Sequence, residues 1–108
     1  MKITVLRAML LAALSPAVLG QEGESYGAIN FYGPDINDAY AAASVCLDLG
    51  NDSPQSVSTI QIQGPTALQC TFYSEFECEG EQITLGPGGH GFNTELLVVG
   101  SWQCTLSA

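Results

Sequence analysis

Four sets of side chains in this sequence are of types that could do chemistry. Cys46, Cys70, Cys78 and Cys104 can form disulfides, bind zinc or, singly, act as nucleophiles. Glu75, Glu77, Glu79 and Glu81 alternate through SEFECEGEQ and would gather negative charge along one edge of a turn, where they form a candidate binding feature for a basic partner. The single histidine, His90, stands in PGGHGF, and Asn51, Asp52 and Ser56 offer oxygen ligands in NDSPQS.

The spacings narrow these possibilities. No two cysteines stand in a zinc-knuckle arrangement, and His90 is poorly placed to complete one, so disulfides are the expected use of all four. Four cysteines allow three pairings. With the cysteines bonded, nucleophilic catalysis has one histidine and no thiol to work with. The carboxylates of Asp35 and Asp38 would suit a glycosidase only in a deep substrate cleft, for which so small a stapled domain has little room. A protein without enzyme activity is expected.

The first twenty residues are read apart from the fold. Lys2 and Arg7 precede a short apolar stretch, interrupted by Pro16 and ending in the small residues Val18 and Gly20. It is too short to span a bilayer, which takes about 20 apolar residues, and it reads as a secretory signal peptide cut after Gly20. Residues 21–108 then form one domain. Lys2 and Arg7 are also the only basic side chains, so a mature chain would keep all 11 carboxylates of the sequence and no Lys or Arg. Such a chain cannot neutralise phosphates by releasing counterions, which excludes nucleic acid and anionic membrane as expected partners. Membrane insertion by a cationic toxin mechanism is disfavoured for the same reason. Its acids could also serve solubility alone.

Hydrophobic residues make up 46% of the chain, enough for one core, and a small domain of this kind in an oxidising compartment is commonly stapled by disulfides. Turn formers separate short runs with the two-residue period of strands: GAINFY, VCLDL, VSTIQIQ, LQCTFY, EQITL and LLVVGSWQC. In VSTIQIQ, Ile60 and Ile62 share one face with Ser58, while Val57, Thr59 and Gln61 share the other. DINDAYAAAS is the one helix candidate, capped by Asp35 or Asn37. LGPGGHGF reads as a flexible connection: it opens onto no amphipathic helix and so makes no phosphate cradle. The chain also repeats itself. Phe31-Tyr32 returns as Phe72-Tyr73, and Ser58 to Ile62 returns as Gly100 to Cys104, which predicts two copies of one unit, at about 26–64 and 67–106.

At Tyr73-x4-Cys78-x-Gly80, inside FYSEFECEG, the sequence resembles the folded hairpin of the βγ-crystallin Greek-key motif, with a cysteine where that family usually has its second aromatic. The substitution, together with the closing Ser101-Trp102-Gln103-Cys104, is similar to a group of small secreted, cysteine-rich fungal proteins. In the first unit Asn37 and Ala39 fall where the cysteine and glycine would stand, so only the second unit carries the motif. The resemblance implies an all-β sandwich of two Greek-key units, a positive backbone angle at Gly80, and a hairpin stapled from Cys70 to Cys78. It further implies that the third strand of each unit lies beside the fourth strand of the other, which would leave Cys46 bonded to Cys104. Calcium is the cofactor the family suggests. Asn51, Asp52 and Ser56 match its ligand pattern, but Gln55 and Pro54 depart from it and FNTELL in the second unit matches less well, so at most one weak site is expected. The sequon Asn51-Asp52-Ser53 is followed by Pro54, which disfavours glycosylation. The implied role is effector-like: a secreted protein that binds an extracellular host or competitor component through its exposed loops. An inhibitor of an extracellular protease or a toxin-like antagonist is the alternative, and it would present LGPGGHGF as a protruding loop.

Overall fold

The computed structural model describes residues 24–107. The expected signal peptide and its cleavage point lie outside the described residues. Ten strands follow one another: β1 (Ser25–Tyr32), β2 (Asn37–Ala43), β3 (Leu47–Asp48), β4 (Gln55–Val57), β5 (Thr59–Gln63), β6 (Leu68–Glu75), β7 (Glu79–Leu85), β8 (Gly88–Gly91), β9 (Leu97–Val99) and β10 (Ser101–Leu106). A single 3-10 turn, Phe76–Cys78, separates β6 from β7, and it is the only helical element among the described residues. The fold is all-β and antiparallel.

Two four-stranded sheets carry the architecture, in the orders β2-β1-β5-β8 and β3-β10-β6-β7, and a short ladder joins β4 to β9. Each sheet thus takes three strands from one half of the chain and one short strand from the other. The pairing repeats between halves. Phe31 faces Ile60 as Phe72 faces Trp102, and Ile60 faces His90 as Trp102 faces Leu47. The connecting hydrogen bonds repeat as well: Ser58 N–H donates to Tyr32 O as Gly100 N–H does to Tyr73 O, and Phe92 N–H donates to Ser58 O as Leu49 N–H does to Gly100 O. In the β4–β9 ladder Ser56 faces Val98, flanked by Val57 against Leu97 and Gln55 against Val99. The same correspondence between halves matches Ser56 to Val98, Val57 to Val99 and Gln55 to Leu97, so it exchanges these two flanking pairs.

Strand alternation builds the core between the sheets. Ile29, Phe31, Ile60 and Ile62 face inward from one sheet, and Leu68, Cys70, Phe72, Trp102 and Cys104 from the other. Burying each large side chain of this kind contributes about 1.5–3 kcal/mol. Phe31 is central, with ring centroids 5.8 Å from Phe72, 5.2 Å from Trp102 and 5.9 Å from Tyr40.

The structure corrects three expectations. The segment read as a helix, DINDAYAAAS, contains β2 instead. A helix so short is marginal by itself, whereas pairing with β1, Ile29 opposite Tyr40 and Phe31 opposite Asp38, satisfies the backbone. Its alanines leave room for the indole of Trp102, whose Nε1 donates to Ala41 O at 3.0 Å. The glycine-rich connection contains β8, which pairs with β5 from Thr59–Gly91 to Ile62–Gly88. The disulfides are the third correction. They join Cys46 to Cys78 and Cys70 to Cys104, with Cα–Cα distances of 6.1 and 4.0 Å, in place of Cys70–Cys78 and Cys46–Cys104.

The sheet geometry explains both departures. Cys70 lies near the start of β6, and the five residues from there to Glu75 span about 17 Å at about 3.3 Å per residue, so the turn carries Cys78 away from it. Directly opposite Cys70 stands Cys104 on β10. Cys46 adjoins β3, where Leu47 faces Trp102. Extending that register sets Cys46 opposite Gln103, on the face away from the core, whereas Cys104 points into it. Neighbouring positions on a strand point to opposite faces, so a one-residue offset separates the two sulfurs. The cysteines are therefore sorted by face: Cys70 and Cys104 pair inside, Cys46 and Cys78 outside.

Candidate functional site

The outer-face disulfide belongs to a turn that folds back over its own sheet. After Glu75 the chain takes left-handed backbone angles at two successive non-glycine residues, with φ of 62° at Glu77 and 56° at Cys78, and Gly80 follows at 91°. Such angles are costly for residues with a Cβ and persist only where the surroundings impose them. At Gly80 the expectation of a positive angle holds, and a side chain there would also collide with the Ser74 hydroxyl.

Four contacts impose the turn. Ser101, fully buried beneath it, accepts a hydrogen bond from Cys78 N–H at 2.8 Å and donates one to Glu75 O at 2.6 Å. Asp48 on β3 accepts from Glu77 N–H through Oδ1 at 2.8 Å. The Ser74 hydroxyl accepts from Glu81 N–H at 2.9 Å. The Cys46–Cys78 bond then ties the turn covalently to the first half of the chain. Gly100, just before Ser101, is buried against the turn, and an added Cβ would lie 2.6 Å from the carbonyl carbon of Glu75. Replacing Ser101 by alanine should leave the Cys78 N–H and Glu75 O without their partner and cost about 1–3 kcal/mol, measurable by urea denaturation. Threonine at the same position should restore part of the loss.

The turn displays the acids. Glu75, Glu77, Glu79 and Glu81 are all exposed, Asp48 lies beside them, and Glu75 directly faces Glu79 across the strand pair. Like charges set opposite each other in a ladder are destabilising. No lysine or arginine occurs among the described residues, so within them these carboxylates have no Lys or Arg to pair with. The arrangement holds a block of negative charge at a fixed position, with no lysine or arginine among the described residues to offset it.

The other candidate residues lie elsewhere. His90 is on β8, in the opposite sheet, half-buried, with Nε2 2.8 Å from Gly86 O. Asn51 and Asp52 lie in the bend between β3 and β4, and Ser56 is on β4 opposite Val98. The nearby Gln55 side chain donates to Ser53 O at 3.0 Å. Among the described residues no three His, Cys, Asp or Glu side chains are grouped to hold a metal ion. Asp35 and Asp38 are exposed near the β1–β2 connection.

Sequence reasoning identified the acids and Gly80 but missed Asp48 and the bridging role of Ser101. A usable signal existed: Asp48 and Cys46 are two residues apart and so share a face, and Ser101 precedes the inward-facing Trp102 and so must face outward. All four cysteines are bonded, and no helix among the described residues is long and apolar enough to cross a membrane. Disulfides of this kind form and persist in oxidising compartments. Comparisons with protein families, curated proteins and solved structures found no match.

Proposed function

We propose that this chain is a secreted, non-catalytic binding protein of βγ-crystallin-like build, whose folded acidic turn engages a basic surface on an extracellular host or competitor protein. The exchanged short strands β3 and β8, the repeated register of the two halves and the folded turn closed by Ser101 support the Greek-key reading. One observation carries the functional part: the carboxylates of Glu75, Glu77 and Glu79 stand on a turn fixed by a disulfide, a buried serine and Asp48. A pre-ordered charged surface binds without the entropy cost of ordering it, and its field steers a partner of opposite sign. The effector-like role rests on that surface. Cys46, Cys70, Cys78 and Cys104 take a structural role in this reading, and His90 takes none. The protease-inhibitor alternative draws no support from LGPGGHGF, because Gly88–Gly91 is a paired strand.

Capture from host extracellular fluid on the immobilised secreted protein, with the partner identified and its Kd measured in low and physiological salt, tests the reading. The expected partner is basic, and its affinity should fall with salt and in the triple variant Glu75→Gln, Glu77→Gln, Glu79→Gln. A partner bound equally well by the variant, at either salt concentration, would contradict it.

A further inference from the structure

A second feature lies on the inner face of the same sheet, at its β7 margin. There the β6–β7 margin and the segment Glu95–Val98 line a groove of about 440 Å³, within the range of small ligand sites. Phe72 and Ile83, cross-strand partners on β6 and β7, form its floor, and Leu96 and Val98 form the far lip, 39% and 46% exposed. Glu81 and Glu95 line it as well. The groove therefore joins apolar side chains to two carboxylates. Beside it runs the outer edge of β7, a seven-residue strand hydrogen-bonded only to β6 among the described residues.

An exposed strand edge is a template for another extended chain, and proteins commonly protect such edges with charge. Here the protection is acidic. A second copy of this chain laid in parallel register along β7 would set Glu79 and Glu81 against their own kind, and in either direction it would bring two acidic edges together, whereas a basic segment would meet opposite charge. Glu81 and Ile83 are two residues apart on β7, so a strand added beside them would place its own side chains on the groove face with the same period. One of these would fall beside Glu81, the next over Ile83, within the groove that Glu95, Leu96 and Val98 also line.

We propose that the β7 edge and this groove together bind an extended segment of a partner protein that carries a lysine or arginine and an apolar residue two positions apart. The proposal rests on the reading of the chain as a binder of basic proteins and specifies the form in which the partner is recognised. Main-chain pairing with β7 would supply affinity and the groove would supply specificity, as in other cases of strand addition.

The test is an NMR titration of the 15N-labelled secreted protein at low salt with three end-capped heptapeptides: TRTVTRT, which fits in either strand direction; TRVTTRT, which has the same composition with valine on the other face; and TETVTET. TRTVTRT should shift the amides of Glu81–Leu85 and Glu95–Val98 saturably and bind more tightly than TRVTTRT, and TETVTET should leave the spectrum unchanged. Glu95→Gln should weaken TRTVTRT by about two- to fivefold, the range of a rim charge pair. The triple glutamine variant of the turn should still bind through the groove. Equal binding of the two basic peptides, with shifts confined to Glu75–Glu79, would overturn the groove proposal and leave the acidic-turn reading standing. Shifts that grow with protein concentration and not with peptide would identify a second copy as the occupant and also overturn it, as would the absence of any response.

Discussion

Replacement of Trp102 by alanine should remove most of the stability of the domain. The indole is fully buried, with its ring centroid 4.9 Å from that of Tyr40 and 5.2 Å from that of Phe31, and its N–H is satisfied by Ala41 O across the sandwich. Truncation would leave a cavity bordered by both sheets and strip the carbonyl of its donor. Core aromatic-to-alanine changes cost about 3–5 kcal/mol, against about 5–15 kcal/mol for a whole domain. For a domain of this size that corresponds to a fall in Tm of about 15–30 °C. Far-UV circular dichroism would follow the variant. In the parent protein Trp102 is the only tryptophan, so its fluorescence reports directly on the core. A loss of under about 1 kcal/mol, the scale of a surface change, would mean that the two sheets do not meet at Trp102.

The second large effect separates the two disulfides. Their sequence separations are 32 and 34 residues, so under the chain-entropy model each stabilises by about 4 kcal/mol and loop length cannot rank them. Their surroundings can. Cys70 and Cys104 are fully buried in the core, whereas Cys46 is exposed and Cys78 half-buried. Cys70→Ala with Cys104→Ala should lose the entropic contribution and also leave a packing defect between β6 and β10. Cys46→Ala with Cys78→Ala should lose the entropic contribution and gain some back as Glu77 and Cys78 relax from left-handed backbone angles. The inner pair should therefore show the lower denaturation midpoint in urea, and the outer pair should instead show faster proteolysis around Glu77. A lower midpoint for the outer pair would contradict this ranking.

Much of this architecture was legible in the sequence, for identifiable reasons. The period of two set Ile60 and Ile62 on one face of their strand, which proves to be the inner one, and the recurrence of Phe31-Tyr32 at Phe72-Tyr73 marked two halves whose registers prove to match. The alanines of β2 misled because their helical preference is weak beside the pairing that β1 offers them, which depends on residues distant in sequence. The pairing implied by the resemblance, Cys70 to Cys78, fails because extension of β6 sets the two apart. The information was present: with Phe72 facing Trp102, two steps back along β6 and two forward along β10 bring Cys70 and Cys104 face to face. The groove had no comparable signal. It is lined by the β6–β7 margin and by the segment from Glu95 to Val98, which come together only in the tertiary fold, so no local spacing among Glu81, Ile83, Glu95 and Val98 expresses it.

The covalent anchoring of the acidic turn to the opposite half of the chain is most directly tested by the disulfide map of the unreduced protein. Asp48 and Asp52 separate Cys46 from Cys70, Glu75 and Glu77 separate Cys70 from Cys78, and Glu79, Glu81 and Glu95 separate Cys78 from Cys104, so cleavage at acidic residues places each cysteine on its own peptide. Mass spectrometry should then find the Cys46 peptide linked to that of Cys78, and the Cys70 peptide linked to that of Cys104. A peptide linking Cys70 to Cys78 would tie the turn only to its own hairpin, free Asp48 and β3 from it, and contradict the account of a fixed acidic surface.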